Sequence, residues 1–421
     1  MRKIVILVII VFLTGHNSLF SQGTLEELSF YSNSLEADRS FNIYLPEGYN
    51  SNQEDYPVIY FLHGLGCDHN TYTGSTTIFD YMISIGSIEP VIVVFPDGSV
   101  EPYGGSFYTN SLLYGNFEDY IVYDLVDYID ENFRTKQDKN KRCIIGHSMG
   151  GYGAMKLAIK HVELFAAVSA LSGPLDLNSF EDRIPFIELE NGNSPPYDYT
   201  PDETKFFTYA MFTFAGAFSP NMDNPPYYVD LPLDENAEVI DSVFAKFILH
   251  NPANLASEYE LTDLAIFFDC GEQDELGMFN WNNSFADSLS SFGINYQYQT
   301  YTGTHTSGLT QRIPISMSFC DSVMKSVTDV ETTNKFVENI SCYPNPFSGS
   351  SVISYQVPEK GNIKIDIYNS LGQKIITLVN EFQDTGEQSA VFDGTNLPVG
   401  IYYYTIQIGE SFENGKLLLV R

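Results

Sequence analysis

Arg142-Cys143-Ile144-Ile145-Gly146-His147-Ser148-Met149-Gly150-Gly151-Tyr152-Gly153 decides how the rest of the chain is read. Cys143 to Ile145 is apolar on consecutive positions, as a strand buried on both faces of a parallel sheet is. Gly151 to His161 carries a helical pattern. Between them stands a G-x-S-x-G pentapeptide, Gly146 to Gly150. Alone it occurs by chance, but between a strand and a helix it describes a sharp turn. Such a turn holds its serine in a strained backbone conformation and lifts the hydroxyl out at the C-terminal edge of the sheet. Gly146 and Gly150 leave room for the turn, and Gly151 and Gly153 let the helix pack closely.

Outward from this point, short β-branched or aromatic runs alternate with helical patterns from about residue 40 to 320. The expected strands are Phe41 to Leu45, Val58 to Leu62, Val91 to Phe95, Cys143 to Ile145, Ala166 to Leu171, Ala265 to Cys270 and Asn295 to Thr300. That alternation means an α/β domain with a mostly parallel sheet flanked by helices. Between Asn116 and Phe133, apolar residues recur every four positions (Phe117, Ile121, Leu125, Ile129, Phe133), which predicts a helix capped by Asn116. Further helices are expected over Asn280 to Phe292, ended by Gly293, and over Arg312 to Val327. From about Pro174 to Asn254 the pattern breaks into Pro, Asn, Asp and aromatic residues. So long a stretch inside a compact domain is either a functional lid or an insertion covering a sheet edge.

After a polar linker at 328–339 the character changes. Residues 340–421 show alternating strands and no convincing helix: Val352 to Val357, Asn362 to Tyr368, Lys374 to Leu378, Ser389 to Phe392, Ile401 to Ile408 and Lys416 to Val420. Asp393-Gly394 and Asn414-Gly415 mark turns between them. These features predict a small all-β sandwich. At the other end, Arg2 and Lys3 precede an apolar run from Ile4 to Leu13 and then small and polar residues through Gln22, the pattern of a signal peptide over residues 1–22. The run is too short to span a membrane, and no later stretch reaches that length, so no transmembrane segment is expected in the mature chain. The α/β domain then occupies 23–327.

The 421 residues include 54 Asp and Glu against 21 Lys and Arg, a net charge of -33. Such a surface repels nucleic acid and anionic membranes and reads as a solubility device or a salt adaptation rather than a site for cations or basic partners. The five cysteines, Cys67, Cys143, Cys270, Cys320 and Cys342, are too few and too scattered for a disulfide scaffold. No CxxC spacing is present, so no structural zinc is expected.

A serine hydroxyl is a weak nucleophile and needs a histidine base oriented by a carboxylate, in the chain order serine, acid, histidine for a turn of this kind. Downstream of Ser148 stand His161, His250 and His305. His161 ends the helix after the serine, and His250 lies in the irregular stretch. His305 follows the last predicted strand and precedes the last helix, where the base belongs. Asp269, Glu272, Asp274 and Glu275 compete as the acid. Asp269 is still on its strand, whereas Asp274 lies in a loop from which it can turn towards His305. Acyl transfer also needs two backbone N–H groups aimed at the developing oxyanion. Met149, next after the serine, supplies one. The loop His63-Gly64-Leu65-Gly66 supplies the other, with Leu65 as donor and His63 as a loop-structuring residue.

With these residues in place, 25–327 resembles the esterase family that includes feruloyl esterases, S-formylglutathione hydrolases and the mycolyltransferases of the antigen 85 group. The resemblance rests on His63-Gly64-Leu65-Gly66, Phe95-Pro96-Asp97-Gly98, Gly146-His147-Ser148-Met149-Gly150-Gly151 and Cys270-Gly271-Glu272-Gln273-Asp274. The histidine segment departs from the commoner glycine, histidine and aromatic sequence, because Thr306 follows His305. The resemblance implies an α/β-hydrolase fold, a triad of Ser148, Asp274 and His305, an oxyanion hole at Leu65 and Met149, and no cofactor or metal. The implied activity is hydrolysis of carboxylic esters, of feruloyl or acetyl type on polysaccharides for an exported enzyme. Acyl transfer and an inactive surface binding module are the alternatives. The tail, with Tyr343-Pro344-Asn345-Pro346-Phe347, Leu397-Pro398-Val399-Gly400-Ile401-Tyr402 and Gly415-Lys416-Leu417-Leu418-Leu419-Val420, resembles the type A sorting domain of the type IX secretion system. It implies that the secretion machinery is a partner and that the protein is secreted or attached to the cell surface.

Overall fold

The structure, a computed structural model, describes residues 22–326, 338–357, 360–369, 374–408 and 411–420. The expected signal peptide, apart from Gln22, and the linker up to residue 337 lie outside the described residues. The chain divides into two compact units between Val327 and Thr328.

The first unit is built on a sheet of eight strands: β1 (Thr24–Ser32), β2 (Ala37–Leu45), β3 (Val58–Leu62), β4 (Ile92–Pro96), β5 (Arg142–His147), β6 (Ala167–Leu171), β7 (Ala265–Gly271) and β8 (Gln297–Tyr301). Their spatial order is β1-β2-β4-β3-β5-β6-β7-β8. The strands from β3 to β8 are mutually parallel where they pair, whereas β2 runs antiparallel to β4 and β1 antiparallel to β2. All seven expected strands are present within a few residues. The strand without a sequence expectation, β1, is an edge strand mostly open to solvent, with Glu26 and Glu27 in its middle, so its apolar positions form no recognisable run.

The central strands are apolar on consecutive positions because each face of the sheet has its own core. Val58, Tyr60 and Leu62 of β3 face one apolar cluster, while Ile59 and Phe61 face the other. The first cluster packs under α2, a helix over 117–132, α3 (Met149–Lys160) and α7 (Met278–Ser291). The second packs under α1 (Thr76–Ser84) and α8 (Leu309–Ser326). The middle of α2, Tyr120–Leu125, is wound as π-helix. Asn116 stands at the N-cap of α2 but makes no side-chain capping bond. Asn110 caps it instead, its Oδ1 accepting from the Glu118 and Asp119 N–H groups at 3.0 and 3.1 Å.

The irregular stretch folds into a 3-10 turn at Leu177–Arg183, α4 (Ile184–Glu190), α5 (Phe206–Phe218) and α6 (Asp241–Ile248). Helix α5 escapes a periodicity reading because it is apolar all round. Its Phe214 stacks on Phe107 with centroids 4.0 Å apart, and Phe212, Phe214 and Phe218 all belong to the larger core.

The second unit consists of antiparallel strands in two sheets around one apolar cluster. Beside β9 (Glu338–Tyr343) lie β10 (Ser350–Val357) and then β13 (Gly386–Asp393). The other sheet is ordered Lys374–Gln383 (β12), Gly361–Asn369 (β11), Gly400–Ile408 (β14), Ser411–Leu419 (β15). Asn414-Gly415, expected as a turn, lies inside β15. A Cβ at Gly415 would sit 2.2 Å from the ring of Tyr404, so the glycine makes room for an aromatic side chain on the neighbouring strand.

Candidate active site

At the C-terminal end of β5 the chain turns through Ser148 into α3. Ser148 has φ 57 and ψ -121, a backbone conformation that a residue with a side chain rarely adopts. The glycines around it are forced by contact. A Cβ at Gly146 would meet the Gly150 carbonyl oxygen at 1.9 Å, and one at Gly150 would meet the Leu62 oxygen at 2.1 Å. The Ser148 N–H donates to the Leu171 carbonyl at 2.8 Å, which ties the turn to the end of β6.

The loop after β8 brings His305 to this turn, and the loop after β7 brings Asp274. The Ser148 hydroxyl donates to Nε2 of His305 at 2.9 Å, and Nδ1–H of His305 donates to Oδ2 of Asp274 at 2.8 Å. His305 and Asp274 are both buried. Oδ1 of Asp274 accepts from the N–H groups of Leu276 and Met278 at 3.0 and 3.4 Å. Burial alone would raise the Asp274 pKa. The bond to His305, its charge and the two backbone donors outweigh burial and hold the carboxyl below its ordinary value. The arrangement can take a proton from the serine, keep the imidazole in one tautomer and stabilise the imidazolium that forms.

The competing residues have other partners. Asp269 is paired with Arg312, Nε to Oδ2 at 2.8 Å and Nη2 to Oδ1 at 2.5 Å. Glu272 accepts from Thr300, and Glu275 accepts the backbone N–H of His305 at 2.9 Å. His161 is bound to Glu118 at 3.1 Å. His250 stacks on Phe218, and burial, followed by the charges of Lys156 and Lys160, pulls its pKa down to about 3.

Leu65 and Met149 both border Gly105: a Cβ there would lie 2.3 Å from Met149 Sδ and 3.2 Å from Leu65 Cδ1. Met149 is the first residue of α3, so its N–H has no acceptor inside the helix. The Leu65 N–H is set by the peptide that it shares with Gly64. The Gly64 carbonyl accepts from His63 Nδ1 at 2.8 Å and from Cys67 N–H at 3.3 Å. Because the peptide is planar, fixing that oxygen fixes the Leu65 N–H on the opposite edge. His63 Nε2 accepts from the Gly98 N–H at 2.8 Å, so the imidazole structures the loop as the sequence suggests. Beside Leu65 opens a cavity of about 570 Å³, bordered by Cys67, Asp68, Glu101, Phe206 and Tyr209.

Sequence reasoning passed over several residues that hold this site together. Arg183, from the irregular stretch, donates to the Leu276 carbonyl at 2.6 Å and pins the Asp274 loop. Tyr72 and His147 join the His305 loop to β5, with Tyr72 Oη 2.7 Å from His147 Nδ1 and His147 Nε2 3.2 Å from the His305 carbonyl. His147 could have been found as one of the two variable positions of the pentapeptide. Tyr72 and Arg183 carry no local signal. Among the described residues, no group of three or more His, Cys, Asp or Glu could hold a metal ion.

A family model described as "Putative esterase" matches residues 32–309, well over half of the chain, and the chain belongs to that family. A second model, "Secretion system C-terminal sorting domain", matches 341–420, so the protein is secreted or attached to the cell surface. No helix among the described residues is long and apolar enough to cross a membrane. An esterase of Mycobacterium tuberculosis is 32% identical over 150 residues, which are 35% of this chain and 32% of that protein. An endo-1,4-beta-xylanase/feruloyl esterase of Xylanibacter ruminicola is 32% identical over 168 residues, 36% of this chain and 22% of that protein. The chain thus spans about a third or less of the length of these curated relatives. The solved structure of a ferulic acid esterase superposes with a TM-score of 0.53 at 19% identity, covering 72% of this chain and 99% of that one. That likeness shows the α/β-hydrolase fold.

Proposed function

We propose that this member of the esterase family hydrolyses carboxylic esters through an acyl-enzyme on Ser148. The observation that carries the reading is the unbroken chain from Asp274 through His305 to Ser148, with bonds of 2.8 and 2.9 Å. As the Ser148 oxygen bonds to the ester carbonyl carbon, its proton passes to Nε2 of His305, and the carbonyl oxygen becomes an oxyanion facing the N–H groups of Leu65 and Met149. The bond to the alcohol oxygen then breaks, and the alcohol leaves with the proton from His305. Water attacks the acyl-enzyme by the same route, giving His305 its proton, and the acid departs as the serine recovers its hydrogen. Asp274 stays ionised throughout. None of these steps calls on a cofactor or metal.

The natural substrates we infer are feruloyl or acetyl esters on polysaccharide. An exported enzyme meets such esters, and the cavity beside Leu65 offers what a hydroxyl-rich group needs: carboxylate acceptors on Asp68 and Glu101, and the rings of Phe206 and Tyr209. Export would proceed through the type IX secretion machinery, with the C-terminal unit as the part that it recognises.

The test is fluorophosphonate labelling and p-nitrophenyl acetate hydrolysis by the purified protein, beside Ser148→Ala. Both activities are expected in the wild type and absent in the variant. A folded wild type showing neither would overturn the reading, and turnover of long-chain lipid esters alone, among aryl, acetyl-xylan and lipid esters, would overturn the substrate class.

A further inference from the structure

We infer that His147 is a positioning residue for the base: through its side chain it clamps the backbone of His305 to the strand that carries the nucleophile, and the Tyr72 hydroxyl fixes the tautomer in which it can do so. The inference rests on the reading of His305 as the base for Ser148.

The argument begins with the acceptor. A carbonyl oxygen can only accept, so the 3.2 Å contact between His147 Nε2 and the His305 oxygen requires a proton on Nε2. His147 is buried, and desolvation, followed by the charge on His305, pulls its pKa down to about 3. The ring is therefore neutral at ordinary pH, and with Nε2 protonated its Nδ1 must accept. The group positioned to donate there is the Tyr72 hydroxyl at 2.7 Å. The ionisable groups that bear on His147 are Tyr72, His305, Arg312 and Asp274. Burial raises the Tyr72 pKa above its ordinary value, so the phenol keeps the proton that it donates.

The clamp and the acid loop hold different backbone groups of His305. Glu275 holds the His305 N–H at 2.9 Å, and His147 holds its carbonyl, with Arg312 Nη1 adding a bond of 3.4 Å to the same oxygen. His147 is joined to Ser148 by one peptide bond. The distance between base and nucleophile is thus set by a rigid backbone link as well as by the hydrogen bond between them. A neutral ring suits this position, because a second imidazolium with its ring centroid 5.0 Å from His305 would oppose proton uptake by the base.

Three variants of the full chain test the clamp. In His147→Leu the donor is lost, and kcat is expected to fall roughly 10- to 100-fold with KM little changed, the cost of a base displaced by a fraction of an ångström to an ångström. In His147→Gln the side-chain amide can donate to the same carbonyl, and most of the loss should be restored. Tyr72→Phe, which keeps the ring and loses the hydroxyl, should lower kcat by a smaller factor. Histidine side-chain 15N NMR, assigned by difference with His147→Gln, reads the clamp without turnover: a neutral ring protonated on Nε2 across neutral pH in the wild type, and mixed tautomers in Tyr72→Phe. A His147 ring protonated on Nδ1 or titrating near its ordinary value, or a glutamine variant no better than leucine, would overturn the inference. Failure of Ser148 to react with fluorophosphonate would instead overturn the serine reading and leave the NMR result standing.

Discussion

Arg312 holds Asp269 in a two-pronged ion pair in which both side chains are buried, at 2.8 Å from Nε to Oδ2 and 2.5 Å from Nη2 to Oδ1. The same guanidinium donates to Ser172 Oγ at 2.8 Å and to the carbonyls of His305 and Ser307 at 3.4 and 3.3 Å, and lies over the Tyr301 ring at 4.4 Å. The pair therefore withdraws Asp269 from competition for the base and anchors the loop that carries it. Asp269→Asn leaves a buried guanidinium without its counter-charge and is expected to cost about 3–5 kcal/mol in urea unfolding. A loss below 1 kcal/mol would mean that Arg312 finds another anion or reaches water.

Asp274→Asn tests orientation separately from folding. Asparagine can still accept from the Leu276 and Met278 N–H groups, so stability should change little. It cannot hold the His305 ring in the tautomer that receives the serine proton, and kcat should drop by about 10⁴. A loss of 10-fold or less would remove Asp274 from the triad.

Two alanine substitutions in the oxyanion region should separate space from strain. Gly64→Ala places a methyl 3.4 Å from Ser148 Cβ and 3.5 Å from the His147 oxygen, ordinary contact distances, so the fold should tolerate it while substrate is displaced from the nucleophile. An unchanged melting temperature with kcat/KM lower by about 10² is the expected result. Gly146→Ala, which would put a methyl 1.9 Å from the Gly150 oxygen, should instead fail at the level of stability. Equal melting temperatures for the two variants would contradict the close approach of β5 and α3.

Acid should destabilise the protein through two buried histidines. His147 and His250 are both held at about 3 in the folded state, against an ordinary 6.5. Between these values the unfolded chain binds protons that the folded one refuses, so their contribution is complete above about pH 6.5 and is lost as pH falls towards 3. His250→Phe, which keeps an aromatic ring against Phe218, should flatten the fall in melting temperature over that interval. An identical pH slope in wild type and variant would show that His250 is already protonated in the fold.

The central strands of the parallel sheet, β3 to β7, were legible because they are buried on both faces and announce themselves as apolar runs. The edge strand β1 and the all-apolar helix α5 were not, the first for lack of a run and the second for lack of a stripe. Ser148 and the loops of His305, Asp274 and Leu65 could be ordered along the chain because each follows a recognisable strand. The residues that orient them could not. Tyr72 lies 75 positions before His147, and Arg183 lies 93 before Leu276, and nothing local in either segment reports a contact made by tertiary folding. Asn110 capping α2 in place of Asn116 is a smaller case of the same rule, since residues 110–111 pair antiparallel with 115–116 and so bring the Asn110 side chain to the helix N-terminus.

The conformation of Ser148 also carries a cost of its own. At φ 57 and ψ -121 a side chain costs of order 1–3 kcal/mol that glycine would avoid. Ser148→Gly should therefore melt higher than Ser148→Ala. The turn at Ser148 thus carries a stability cost that a melting curve can read before any substrate is known.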